Sequence, residues 1–169
     1  MREWIPVPGS AKARLVESAL HHFERFGFET ASVGELAAKA GVTTGSLYHH
    51  FGSKLGLYLT VRDDVERRIG DRMEGAAESA GGTGRPAVRA ALTVAFDAAV
   101  RFDVCRLVGE PPVAERPDRV ELTVRGLLPD RAGPTALVLA AAWRTALLSV
   151  ADGATSTSAR EALEFVLAD

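Results

Sequence analysis

The sequence predicts an all-α protein. Alanine is abundant, β-branched runs are scarce, and no segment alternates apolar and polar residues over the length of a strand. Apolar residues recur instead at intervals of three and four, and glycines, prolines and capping hydroxyls punctuate the runs.

Ser10 is placed to cap a first helix over 11–26, with Leu15, Val16, Ala19, Leu20, Phe23 and Phe26 on its inward face and Gly27 at its end. Ser32 opens a second helix, and Glu35 three residues later completes a capping box. Val33, Leu36, Ala37 and Ala40 carry the apolar face until Gly41 stops it. Thr43 caps a third short helix over 44–50, in which Leu47 and Phe51 point inward. Gly52 breaks it and Ser53 caps a long fourth helix, 54 to about 78. Its stripe is Tyr58, Val61, Val65, Ile69 and Met73, opposite Arg62, Asp63, Glu66 and Arg67. After the flexible break at Gly81 to Gly84, Pro86 starts a fifth helix that runs to Phe102. A Pro-interrupted stretch from Cys105 to Pro117 holds a short helix. Further helices follow over 120–128 and 134–151, and Ser158 caps a last one over 159–168.

The chain has 169 residues, enough to bury a real core, and 47% hydrophobic and 25% charged residues. Its single cysteine, Cys105, excludes an internal disulfide, fits a reducing cytoplasm and reads as a small buried hydrophobe. No apolar run follows the first charges, so a signal peptide is not expected. The longest apolar run, Ala136 to Trp143, stops at Arg144, well short of the ~20 residues a membrane span needs. The net charge is -2; residues 1–70 hold nine Lys and Arg against eight acids, and the remainder eleven against fourteen. Bulk charge therefore neither demands nor excludes nucleic acid, and local placement decides.

The two short helices that meet at the Gly-containing turn between Ala40 and Thr43 form a helix-turn-helix pattern. A helix that enters the major groove needs an outer face that is small or hydrogen-bonding. Here that face carries Thr43, Thr44, Gly45, Ser46, Tyr48 and His49. Gly45 removes bulk at closest approach, the hydroxyls suit phosphates, and Lys54 places a charge at the start of the fourth helix. His49 and His50 diverge on a helix and have no cysteine or carboxylate companion, so no metal site and no cofactor are expected. His21 and His22 are expected half-exposed on the first helix. No nucleophile–base pair or phosphate loop stands at a motif spacing, so no enzymatic activity is expected.

The run Ser32-Val33, Glu35-Leu36-Ala37, Ala40-Gly41-Val42-Thr43, Gly45-Ser46-Leu47-Tyr48-His49-His50-Phe51 and Ser53-Lys54 resembles the DNA-binding domain of TetR-family regulators. The resemblance covers about residues 11–62. It implies a helix-turn-helix DNA-binding domain over 11–53, preceded by a flexible arm (1–10, with Arg2 and Trp4). A helical regulatory and dimerisation domain over 54–169 follows. It also implies a homodimer on double-stranded DNA with an inverted-repeat operator, most simply a cytoplasmic repressor released by a small molecule. Ligand-independent control by a protein partner is the alternative. The family's DNA contacts carry over to Thr43, Thr44, Gly45, Tyr48, His49 and Lys54, with Ser32 and Ser46 beside them.

Phe96, Val100, Arg101 and Trp143 are the candidates for an effector pocket. Leu137, Ala141, Leu148, Leu163 and Val166 are the candidates for the dimer contact. Arg144, inside an apolar helix, is expected to reach solvent, with an anionic ligand or a dimer bridge as alternatives.

Overall fold

The computed structural model describes residues 9–113, 116–129 and 133–168. Among them all regular structure is helical: α1 Ala11–Thr30, α2 Val33–Lys39, α3 Thr44–Phe51, α4 Lys54–Ser79, α5 Gly84–Arg101, α6 Cys105–Gly109, α7 Arg119–Leu127, α8 Gly133–Ala151 and α9 Ser156–Leu167. The proposed arm, with Arg2 and Trp4, falls almost entirely outside the described residues. The chain divides into two compact units, residues 1–64 and 65–169. The division falls within α4 rather than at its start, because Leu57, Tyr58 and Val61 on its first turns are buried with the core of the first unit.

Helix ends follow from local chemistry. Ser10 Oγ accepts from the Ala13 amide at 3.2 Å and Thr43 Oγ1 from the Ser46 amide at 3.2 Å. Beyond α2, Gly41 turns left-handed at φ 63°, so its own amide reaches the Ala38 carbonyl and the Val42 amide the Ala37 carbonyl, each at 3.0 Å. Two ends differ from expectation. Gly27 does leave the helix, at φ 75° and ψ 173°, but the chain resumes a last turn to Thr30, whose hydroxyl donates to the Phe26 carbonyl at 2.5 Å. At α9 the capping hydroxyl is Thr155, accepting from the Ser158 amide at 3.2 Å, so this helix begins earlier than Ser158 suggested. Several hydroxyls in a row offered the cap, and the one that brings Ala159, Leu163 and Leu167 into the core is used.

The second unit is built around α8, which packs on α6, α7, α9 and α5. By length and composition α8 could cross a membrane, with a mean hydropathy of 1.4 over its apolar window. Its stripe of Ala136, Ala140, Trp143 and Leu147 is instead buried within the unit. Alanines beside Trp143 make room for the indole, whose Nε1 is buried with no hydrogen-bond partner. Gly109 brings α6 close to α8: a β-carbon there would lie 3.1 Å from Leu148 Cγ and 3.3 Å from the Arg144 carbonyl oxygen.

Arg144 corrects the expectation that it reaches solvent. Its guanidinium pairs with Asp118, and the two side chains are 12% and 11% exposed. The other oxygen of Asp118 caps α7, accepting from the Val120 amide at 3.0 Å and the Glu121 amide at 3.2 Å. One carboxylate thus starts α7 and neutralises a charge carried by the apolar α8. Asp118→Ala removes the cap and strands the guanidinium, and is expected to cost about 3 kcal/mol. Urea melts of the variant read this loss directly, and an unchanged midpoint would show that the pair contributes nothing.

Candidate nucleic-acid interface

α3 has eight residues and only one fully buried side chain, Leu47. Thr43, Thr44, Gly45, Tyr48 and His49 are exposed, Ser46 and His50 half-buried. Thr44 and Tyr48, and Gly45 and His49, are one turn apart, so four of the predicted residues form a single outward face. Tyr48 is 53% exposed, which makes it part of that face and not of the core. The space beside Gly45 is open: a β-carbon there would meet only Thr43 Oγ1, at 3.7 Å. Nothing inside the protein requires glycine at this position.

Two more of the predicted residues, Ser32 and Lys54, are engaged within the domain. Ser32 Oγ donates to Glu35 Oε2 at 3.0 Å and accepts from the Glu35 amide at 3.2 Å, so its proton is committed to a carboxylate. The hydroxyl bond first, and then the Ser32 amide donating to the same Oε2 at 3.4 Å, hold the Glu35 carboxyl below the usual range. Lys54 Nζ donates to the Phe28 carbonyl at 3.0 Å and stands 4.3 Å from the centre of the Phe28 ring. Lys54 therefore joins the start of α4 to the end of α1.

Residues that spacing alone did not mark fix the orientation of α3. Phe28, carried past the Gly27 break, lies 4.8 Å from Tyr58 and 6.2 Å from Phe23, and Phe23 meets Tyr58 edge-on at 5.0 Å. At the junction of α3 and α4, a β-carbon on Gly56 would fall 2.0 Å from the Phe51 carbonyl oxygen. Only glycine lets α4 start that close to the end of α3. Arg14 bridges the two ends of its own surroundings, with Nε donating to the Ala40 carbonyl at 3.0 Å and Nη1 to the Gly9 carbonyl at 2.7 Å. Arg62, expected on the outer face of α4, is 3% exposed and donates to the Tyr58 hydroxyl at 2.8 Å.

Two further expectations on α1 are corrected together. His22 is 6% exposed, not half-exposed, and Phe26 is 44% exposed, not in the core. His22 lies three residues after Ala19 and seven after Leu15, on the buried face of the regular helix before Gly27. Its Nδ1 accepts from Lys39 Nζ at 2.9 Å, which ties α1 to the end of α2. The sequence signal that could have found this is Lys39, in the last turn of a short helix opposite a histidine-bearing one.

In the second unit, Phe96, Val100 and Arg101 do come together, along a groove of about 470 Å³ between α5 and α9 that Asp97, Arg160 and Glu164 also line. Arg160 Nε donates to Asp97 at 2.9 Å and Nη1 to Glu164 at 2.6 Å. Trp143 does not line this groove; it is 1% exposed on the buried stripe of α8. Of the dimer candidates, Leu137, Ala141 and Val166 are exposed. Leu163 is 2% exposed within its own unit, and Leu148 packs against Gly109.

Short helix, left-handed glycine turn and outward polar helix, set on a supporting first helix, define a helix-turn-helix DNA-binding domain. Residues 15–61 match the family described as "Bacterial regulatory proteins, tetR family". The chain is 30% identical over 71 residues to the HTH-type transcriptional regulator BetI of Vibrio parahaemolyticus, covering 42% of this chain and 36% of that one. It is 34% identical over 88 residues to the HTH-type transcriptional activator FasR of Mycolicibacterium smegmatis, covering 51% and 39%. The match thus spans little more than a third of these relatives' own length. A transcriptional regulator from Aquifex aeolicus VF5 shares the fold at a TM-score of 0.65 and 19% identity, over 94% of this chain and 98% of that one. Residues 15–61 therefore resemble the DNA-binding part of tetR-family proteins, and the relatives that match there are described as transcriptional regulators.

Burial, then the neighbouring Lys39 charge, push the His22 imidazole below its ordinary value, against a smaller opposing effect of Glu35. A folded value below the unfolded one means that neutral His22 stabilises the domain above about pH 6.5, and that this is lost as pH falls through the folded value. Unfolding of the first unit is therefore expected to be flat in pH above neutrality and to weaken in acid. His22→Gln, which keeps an acceptor for Lys39, is expected to flatten the acid limb in urea melts followed by helix signal. A wild-type limb retained in that variant would assign it to other groups.

Proposed function

We propose that the protein is a cytoplasmic, homodimeric transcriptional regulator that inserts α3 into the major groove of an inverted-repeat operator. The observation that carries this reading is the outward face of Thr44, Gly45, Tyr48 and His49, polar or small throughout, with open space where Gly45 lacks a side chain. Thr44 and His49 read base edges; Thr43, Ser46 and Tyr48 donate to phosphates. Lys54 positions α4 and offers a phosphate the protons that the Phe28 carbonyl does not take. Ser32 contributes through the start of α2, its hydroxyl being held by Glu35. Two-fold symmetry of the dimer sets two such helices on one face of the duplex.

Gly45→Ala separates this role from folding. The fold has room for the methyl group, and alanine favours a helix interior by roughly 0.5–1 kcal/mol, so the melting temperature is expected to hold or rise. Affinity for the DNA upstream of the gene is expected to fall roughly tenfold, within the range of one lost specific contact. A variant that binds this duplex like the parent would take α3 out of the major groove.

The dimer forms through α8 and α9. Val138 is 62% and Phe165 84% exposed, and Leu137, Ala141 and Val166 lie beside them in sequence on the same two helices. Phe165→Glu is expected to leave helicity intact and to give a monomer by light scattering at micromolar concentration; an unchanged mass would place the interface elsewhere. The effector seat is the groove between α5 and α9, where apolar Phe96 and Val100 meet Arg101 and the Asp97–Arg160–Glu164 bridge. Release of a repressor by a small molecule there shifts the dimer between two states by its differential affinity for them.

A further inference from the structure

A second groove, of about 400 Å³, runs along α1 and the end of α2 and takes no part in the recognition face. Its lining includes Arg14, Arg25 and Lys39 against one acid, Glu17. Arg25 lies 5.1 Å and Lys39 5.3 Å from the centre of the exposed Phe26 ring, and neither makes a salt bridge. The nearest acid in sequence to Lys39, Glu35, accepts from Ser32, keeps its charge and lies outside the groove lining. Lys39 spends one proton on the buried His22 and keeps two. Ser18, also in the lining, has a buried hydroxyl with no hydrogen-bond partner among the described residues. Three cations gathered in a concave site against a single acid repel one another, and an oxyanion between them relieves that repulsion through charge-assisted hydrogen bonds.

We propose that this groove is an oxyanion site in which Arg25 and Lys39, with Arg14 behind them, hold a phosphate group. The phosphate is either a free anion or one of the DNA backbone; only the second source rests on the DNA-binding reading. A bound dianion favours the protonated imidazole, so His22 reports occupancy. Lys39, Arg25, His21 and Glu17 are the charged and titratable groups that face it from α1 and α2, with Glu35 one turn before Lys39.

The full chain is titrated with inorganic phosphate against chloride at equal ionic strength while the His22 ring protons are followed by NMR. In parallel, wild type and variants are titrated with duplex DNA at several salt concentrations. Arg25→Gln is the main variant, since Arg25 is exposed and stacks on the exposed Phe26 ring; Lys39→Gln is the second, with melts to check its fold. A saturable phosphate shift with a raised His22 pKa, weakened about tenfold in Arg25→Gln, establishes a free-anion site. No phosphate response, but a salt slope lowered by about one in Arg25→Gln on any duplex, establishes a backbone contact. If His22 ignores phosphate and the variants keep the parent's salt slope, the groove proposal is overturned while the DNA-binding reading stands. If the parent binds no duplex, that reading fails separately, and the phosphate arm alone decides the groove.

Discussion

A helix of barely two turns with one buried anchor cannot orient itself. Leu47 fixes which side of α3 faces inward but not the direction in which its outer face points. The constraint that does so is the joint at Phe28. Gly27 breaks α1, the next residue turns its ring under Tyr58, and its carbonyl receives Lys54 from the start of α4. With α4 fixed, Gly56 lets it begin in contact with the Phe51 carbonyl, so the end of α3 is held between two rigid helices. Precise placement of an outward face needs such support from elements that never touch the ligand.

At its other end α3 is held by the left-handed Gly41 turn, and the chain before that turn by polar ties to α1. Arg14 takes the Ala40 carbonyl and Lys39 the His22 nitrogen. These ties use cations, and cations placed for mechanical reasons leave a positive surface beside a domain whose overall charge is near zero. The same side chains that brace the helix-turn-helix thereby make it attractive to anions. In the second unit the equivalent economy is Asp118, which starts one helix and neutralises a charge on another.

The all-α class, the capping box at Ser32 and Glu35, the turn at Gly41 and the outward set Thr44, Gly45, Tyr48 and His49 were legible in the sequence. Each depends on residues within one or two helical turns, where periodicity and capping chemistry act directly. Which polar side chains are satisfied inside the protein was not legible. Arg144, His22 and Lys54 are all polar residues whose partners lie on other elements: Asp118 before α7, Lys39 on α2 and the Phe28 carbonyl on α1. The pocket set split in the same way. Phe96, Val100 and Arg101 lie within two turns of one helix and line one groove, whereas Trp143 followed the alanine stripe of α8 into the core. The sequence by itself determined that the chain is helical, most of the helix ends and which face of α3 is free, because those are short-range matters of backbone hydrogen bonding and apolar spacing. Tertiary structure alone decided the direction in which that face points and the charges left open to solvent, because both depend on contacts between residues far apart in the chain.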